Sequence, residues 1–174
     1  MSAKTLISVE QFDRLEEEEF RYELDEGELI TLTRPGVVHG RIERRLLVAV
    51  QNYLDTQPIG EVFGPDILYV LGPSTKRAPD VSVVLRTIGL DHEIQGAPEI
   101  AAEILSPSNT RRAMQRKLEQ FFATGCKLAW VIDPKTRTVE VWESGSGPLR
   151  TLLESDSLET PLLPGFTCPI AKLF

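Results

Sequence analysis

Residues 98–124 read PEIAAEILSPSNTRRAMQRKLEQFFAT, and a change of hydrophobic period inside this stretch decides the fold class. From Glu99 to Leu105 the side chains alternate. Ile100, Ala102 and Ile104 point one way, and Glu99, Ala101, Glu103 and Leu105 the other. Such a strand is apolar enough to lie centrally in a sheet. After a turn at residues 106–109, Met114, Leu118, Phe121 and Phe122 recur at helical spacing. The spacing predicts a helix from Thr110 to Thr124, closed by Gly125, with Ser106 and Ser108 as its caps. KLAWVID (127–133) and TVEVW (138–142) then give two strands around the Asp133-Pro134 turn.

Toward the amino terminus, DILYVL (66–71) and DVSVVL (80–85) read as two strands separated by the loop LGPSTKRAP (71–79). Asp66, after Pro65, reads as a turn residue. Ile42, Leu46, Ala49, Val50 and Tyr53 mark an amphipathic helix from Val38 to Leu54. FRYELD and ELITLT flank Glu26-Gly27 as a β-hairpin. Ser8 and Gln11 form a capping box for a short helix that ends in the acid run Glu16 to Glu19, a solvated face. The tail after residue 145 carries too little pattern for more than a short edge strand. The expectation is an α/β fold, with a mixed β-sheet flanked by helices and preceded by an N-terminal helix and β-hairpin. One domain spans 1–174: an acidic segment 1–33, a core 34–145 and a tail 146–174 packed on that core.

Composition narrows the function. The 174 residues are 41% hydrophobic and 26% charged, the balance of a chain that buries a full core. The longest apolar runs, Leu46–Val50 and Leu128–Ile132, are far below the roughly 20 residues that cross a bilayer. The first residues lack a secretory pattern, so a cytoplasmic location is expected. Cys126 and Cys168 have no clustered partners and read as free, buried thiols. The net charge of −7 belongs wholly to residues 1–33, which hold three basic and ten acidic side chains. Arg34 to Arg45 holds four basic residues against one acidic, and Ile104 to Lys127 five against one. Two basic helices therefore offer phosphate contacts through Arg41, Arg44 and Arg45 and through Arg111, Arg112 and Arg116. Exposed arginines also serve as ordinary surface. The acidic amino terminus would restrain nonspecific binding to polyanions, so deleting residues 1–19 is expected to tighten binding of a polyanion at low salt.

Three residues do not fit a core. Glu103 sits mid-strand among apolar neighbours, where an unpaired carboxylate costs several kcal/mol, so it needs a cation, a metal or a hydrogen bond. Lys117 falls in the apolar stripe of the next helix. It lies eight residues past Asn109, about 12 Å along that helix. Glu103 lies three residues before Ser106, about 10 Å back along its strand. A helix folding straight back would bring the two level, as a buried structural ion pair or as chemistry, unless the lysine snorkels to the helix edge. Asp80, at the start of another strand, supplies a second carboxylate. Two carboxylates and a lysine suit Mg²⁺, with Mn²⁺ as the substitute, and leave coordination sites for water and a phosphate. That is a phosphodiester hydrolase site.

The succession RAPDVSVV, PEIAAEILSPSNT and KLEQFFATGCKLAWVIDPKTRTVEVW resembles the Uma family of restriction-endonuclease-like proteins, a branch of the PD-(D/E)XK nuclease superfamily. The hairpin YELDEGELI and the following helix with its early His39 are similar to that family too. The likeness covers roughly residues 10 to 145. It implies a restriction-endonuclease-like core in which Asp80 and Glu103 hold the metal and Lys117 is the lysine that has migrated to the helix. It also implies a DNA substrate and, because cutting a duplex needs two sites, a homodimer. Leu105 stands where the superfamily's usual lysine would be, and Ala113 where relatives often carry an acid. These departures leave a second reading, a catalytically inactive nuclease-fold module for dimerisation or partner binding. Glu28 and His39 rank as helpers, although a strand Glu is more often solvated and His39 more simply caps its helix. His92 carries no signal.

Overall fold

The structure, a computed structural model, describes residues 6–15, 21–32, 34–86, 93–107, 109–143 and 147–174. The acid run Glu16–Glu19, Ser108 and His92 lie outside them. Helix α1 (Val9–Phe12) has the expected capping box, Ser8 accepting from the Gln11 N–H and Gln11 bonding back. Strands β1 (Arg21–Asp25) and β2 (Glu28–Leu32) form the hairpin, with Asp25 opposite Glu28. Its turn has positive φ at Glu26 and Gly27 (49° and 87°), as a tight two-residue turn requires.

Helix α2 (Val37–Thr56) presents Ile42, Leu46, Val50 and Leu54 to the core. The next segment holds four strands where the hydrophobic pattern predicts two. They are β3 (Glu61–Phe63), β4 (Tyr69–Gly72), β5 (Thr75–Arg77) and β6 (Val81–Val84). Thr75, Lys76 and Arg77, expected in a loop, form a buried strand because Lys76 and Arg77 each find carboxylates. Then follow β7 (Ile94–Gln95), β8 (Ile100–Ile104), α3 (Arg111–Ala123), β9 (Leu128–Asp133), β10 (Thr138–Trp142) and β11 (Arg150–Leu152). The tail adds β12 (Ser157–Leu158), β13 (Cys168–Pro169) and a 3₁₀ turn at Ile170–Lys172.

The main sheet has the order β11-β10-β9-β8-β6-β3, antiparallel except for β8 and β9. That parallel pair needs a crossover, which α3 supplies. A second sheet runs β2-β1-β5-β4-β7. The alternation of β8 divides the core as its sequence implies. Ile100, Ala102 and Ile104 pack with α2, while Ala101 packs with Met114, Leu118 and Phe121 of α3. Glu103 therefore faces α3. The mixed α/β fold expected from the sequence is the one observed. Both cysteines are free and buried.

Candidate active site

Strands β6 and β8 pair with Val81 opposite Ala102, so Asp80 lies just beyond the last pair, at the end of the sheet where Glu103 stands in β8. Asp80 Oδ2 accepts from the Ile104 N–H at 2.6 Å, which fixes its carboxylate at the sheet end. The same oxygen lies 3.1 Å from His39 Nε2. His39 is thus not a helix cap. The N-cap of α2 is Gly36, without a side-chain bond, and the imidazole turns to the stronger, charged partner. The hydrogen bond with Asp80 outweighs burial and raises the His39 pKa.

Helix α3 starts at Thr110, whose hydroxyl accepts from the Ala113 N–H. Thr110 is therefore the cap in place of Ser106, which pairs with Asn109 Oδ1. From this start, two turns of helix bring Lys117 back over β8. Its Nζ lies 2.8 Å from Glu103 Oε1 and 2.9 Å from Glu23 Oε1, and it donates to Ala78 O at 2.9 Å. The Ala78 carbonyl takes one ammonium hydrogen, and the two glutamates are close ion-pair partners.

Glu23 is the participant that sequence reasoning missed, having looked to Glu28 on the same hairpin. Glu28 stands in β2, whereas Glu23 projects from β1 into the interior and is 2% exposed. Its Oε1 also takes the Ala78 N–H, and its Oε2 pairs with Arg77 Nη1 at 2.9 Å. Arg77 continues to Asp25 and Gln120, so the hairpin is tied to α3. The signal was present. Glu23 lies between Tyr22 and Leu24 in a strand, the same anomaly that marks Glu103.

The two glutamates on Lys117 differ electrostatically. Burial pushes Glu103 up to about 8 despite Lys117, and the charges of Asp80 and Glu23 push the same way. Burial also works against ionised Glu23, but Lys117 and Arg77 together overcome it and hold that carboxyl below its usual range. Lys117 is destabilised as a cation by burial, yet Glu103, Glu23 and Asp80 outweigh this and raise its pKa.

The arginines divide into two groups. Arg41, Arg44 and Arg112 are exposed and make no ion pair among the described residues, whereas Arg111 and Arg116 are exposed but paired. Arg45 donates to Leu173 O, Arg116 pairs with Asp25 and Glu26, and Arg111 lies 3.6 Å from Glu140. Leu105, two residues past Glu103, helps line a cleft of about 390 Å³ with Met114, Val131 and Trp142.

Among the described residues, no group of three or more His, Cys, Asp or Glu side chains is gathered to hold a metal. The chemistry that fits a cation is narrower. Asp80 Oδ1 and Glu103 Oε2 are hard oxygens that take no hydrogen bond from the described residues, while Asp80 Oδ2 is hydrogen-bonded and Glu103 Oε1 is ion-paired with Lys117. Two such donors suit a divalent ion that completes its shell with water.

No curated protein matches the chain. Among solved structures, it is similar to a putative nuclease belonging to DUF820 from Anabaena variabilis ATCC 29413. The identity is 23% and the TM-score 0.82, with 97% of each chain covered, a likeness of fold. The sequence match is to the Uma2 family, described as putative restriction endonuclease, and extends over residues 9–171, from α1 to the last 3₁₀ turn. The hairpin, both long helices and the Asp80–Glu103–Lys117 cluster all fall within that span, and the chain belongs to the Uma2 family.

Proposed function

We propose that the protein is a Mg²⁺-dependent endonuclease that hydrolyses phosphodiester bonds of DNA. The carrying observation is the gathering of Asp80, held by the Ile104 N–H beside Glu103 at the sheet end, with Lys117 2.8 Å from Glu103 and one oxygen of each carboxylate without a hydrogen bond among the described residues. In this reading Asp80 and Glu103 hold the cation. Such an ion, when bound, supplies positive charge that polarises a phosphodiester and makes water more acidic. The Ile104 N–H and His39 hold the Asp80 carboxylate in its orientation, a support that a ligating group needs. The Lys117 ammonium stabilises charge developing on the phosphate oxygens, and it acts more strongly in a buried site than in water. Exposed Arg41, Arg44 and Arg112 are the candidates for backbone phosphates. A homodimer would present two such sites to a duplex.

Purified protein is expected to nick or cut duplex DNA with Mg²⁺ or Mn²⁺, and Glu103→Ala and Lys117→Ala are each expected to abolish the cleavage. Cleavage that survives both substitutions overturns the assignment. Leu105 favours a second reading, an inactive nuclease-fold module. In that case calorimetry finds no Mg²⁺ or Mn²⁺ binding that depends on Asp80 and Glu103.

A further inference from the structure

Lys117 is shared by two buried glutamates, and their surroundings give them different freedom. Glu103 touches the protein through Oε1 alone, to Lys117, and keeps Oε2 uncommitted among the described residues. Glu23 has no oxygen to spare. Oε1 holds Lys117 and the Ala78 N–H, and Oε2 holds Arg77. Arg77 is in turn fixed by Asp25 and by Gln120 of α3. A cation arriving at Glu103 Oε2 would draw on the charge that holds Lys117 at Oε1, and any turn of the carboxylate toward the ion would weaken that ion pair. It has no such access to Glu23, which is saturated.

We propose that Glu23 is a positioning residue for Lys117, keeping the ammonium in place when the Glu103 carboxylate turns from that lysine to a divalent cation. The inference rests on the nuclease reading above and adds the part that makes it workable. A largely enclosed lysine with one carboxylate would cling to it and oppose metal binding. With Glu23 and Ala78 O as standing acceptors, Lys117 releases Glu103 without being left unpaired. Arg77 serves the same end by holding Glu23 on the inner face of β1.

The test is calorimetric titration of Mn²⁺ into the wild type, Glu103→Ala and Glu23→Gln. Gln is nearly isosteric and keeps an acceptor for Ala78, so thermal unfolding identifies the temperature range in which the variant is folded. Lys117 then has Glu103 as its one remaining carboxylate, and the Kd of folded Glu23→Gln for Mn²⁺ should rise by about tenfold to a hundredfold. In cleavage assays kcat should fall while KM for the duplex holds. A purely structural Glu23 would lower thermal stability and leave the Kd within about twofold, which overturns the proposal. Wild-type binding that is indifferent to Glu103→Ala overturns the nuclease reading and the proposal together. A crystal structure of the wild type with Mn²⁺ needs no variant. Lys117 Nζ should stay within hydrogen-bond reach of Glu23 while Glu103 has moved to the ion, and a lysine that leaves Glu23 refutes the proposal.

Discussion

Glu23 and Glu103 pair with the same nitrogen, yet one is held ionised and the other is pushed toward its neutral form. The difference is the count of partners set against burial: Glu23 has two cations and a backbone N–H, and Glu103 one cation and two carboxylate neighbours. This has a consequence for stability. Between its ordinary value of 4.5 and about 8, native Glu103 keeps a proton that the unfolded chain has released. The native state then binds more protons than the unfolded one, so this group's contribution to stability falls as pH rises and levels off above about 8. Glu23 has the opposite sign, contributing fully above its unfolded pKa and losing that contribution as pH falls through its folded value. Removing the Glu103 charge isolates the first effect. Thermal unfolding of Glu103→Gln against wild type, from about pH 5 to about pH 9, should show the variant gaining as pH rises toward 8 and no further change beyond. A pH-independent difference, or one that shrinks with rising pH, would contradict the assignment.

At the scale of elements, the hairpin and α3 are what bring these residues together, and each was legible to a different degree. The meeting of α3 with β8 could be read from Met114, Leu118 and Phe121, because a helix with an apolar stripe beside a central strand has one way to bury it. Strand β5 could not. Thr75-Lys76-Arg77 has the composition of a loop, and its burial makes sense only once Glu23, Asp25 and Asp13 are in place around it. The same long-range dependence hid Glu23 behind Glu28. The hairpin turn is the element's weak point. Gly27 has φ +87°, and a Cβ there would lie 3.0 Å from Leu6 Cβ and 3.2 Å from Ile7 O. The chain from residue 6 to 8 lies against this turn, with Ile7 N–H donating to Gly27 O. Gly27→Ala should therefore cost about 1–3 kcal/mol in urea unfolding, through strain at positive φ and displacement of that segment. An unchanged urea midpoint would show that the turn yields without cost.

At the scale of the whole molecule, sequence pattern was least informative about the tail and most misleading about charge. Leu158, Leu163, Phe166, Ile170 and Leu173 close the α2 face of the main sheet. Spaced among Pro and Gly without a period, they are recognisable as core only in place. The surplus of −7 that seems to argue against a polyanionic partner is segregated in the amino-terminal segment. Part of that segment is used internally, since Asp25 and Glu26 pair with Arg116 and Asp13 pairs with buried Lys76. Truncating residues 1–19 would thus remove Asp13 from Lys76 and the Ile7–Gly27 bond, and would mix folding with binding. Neutralising Glu16 to Glu19 as Gln is the cleaner form of the experiment, because it removes four charges and keeps the residues of α1 and its anchors, Asp13 and Ile7 among them, in the chain. If those charges repel nucleic acid from the basic helices, the variant should bind a short duplex roughly tenfold more tightly at low salt. The gain should fade as the Debye length drops below about 8 Å near physiological ionic strength. Equal affinity at low salt would make the acid run a solvated surface with no part in recognition, and would leave Arg41, Arg44 and Arg112 to act without a counterweight.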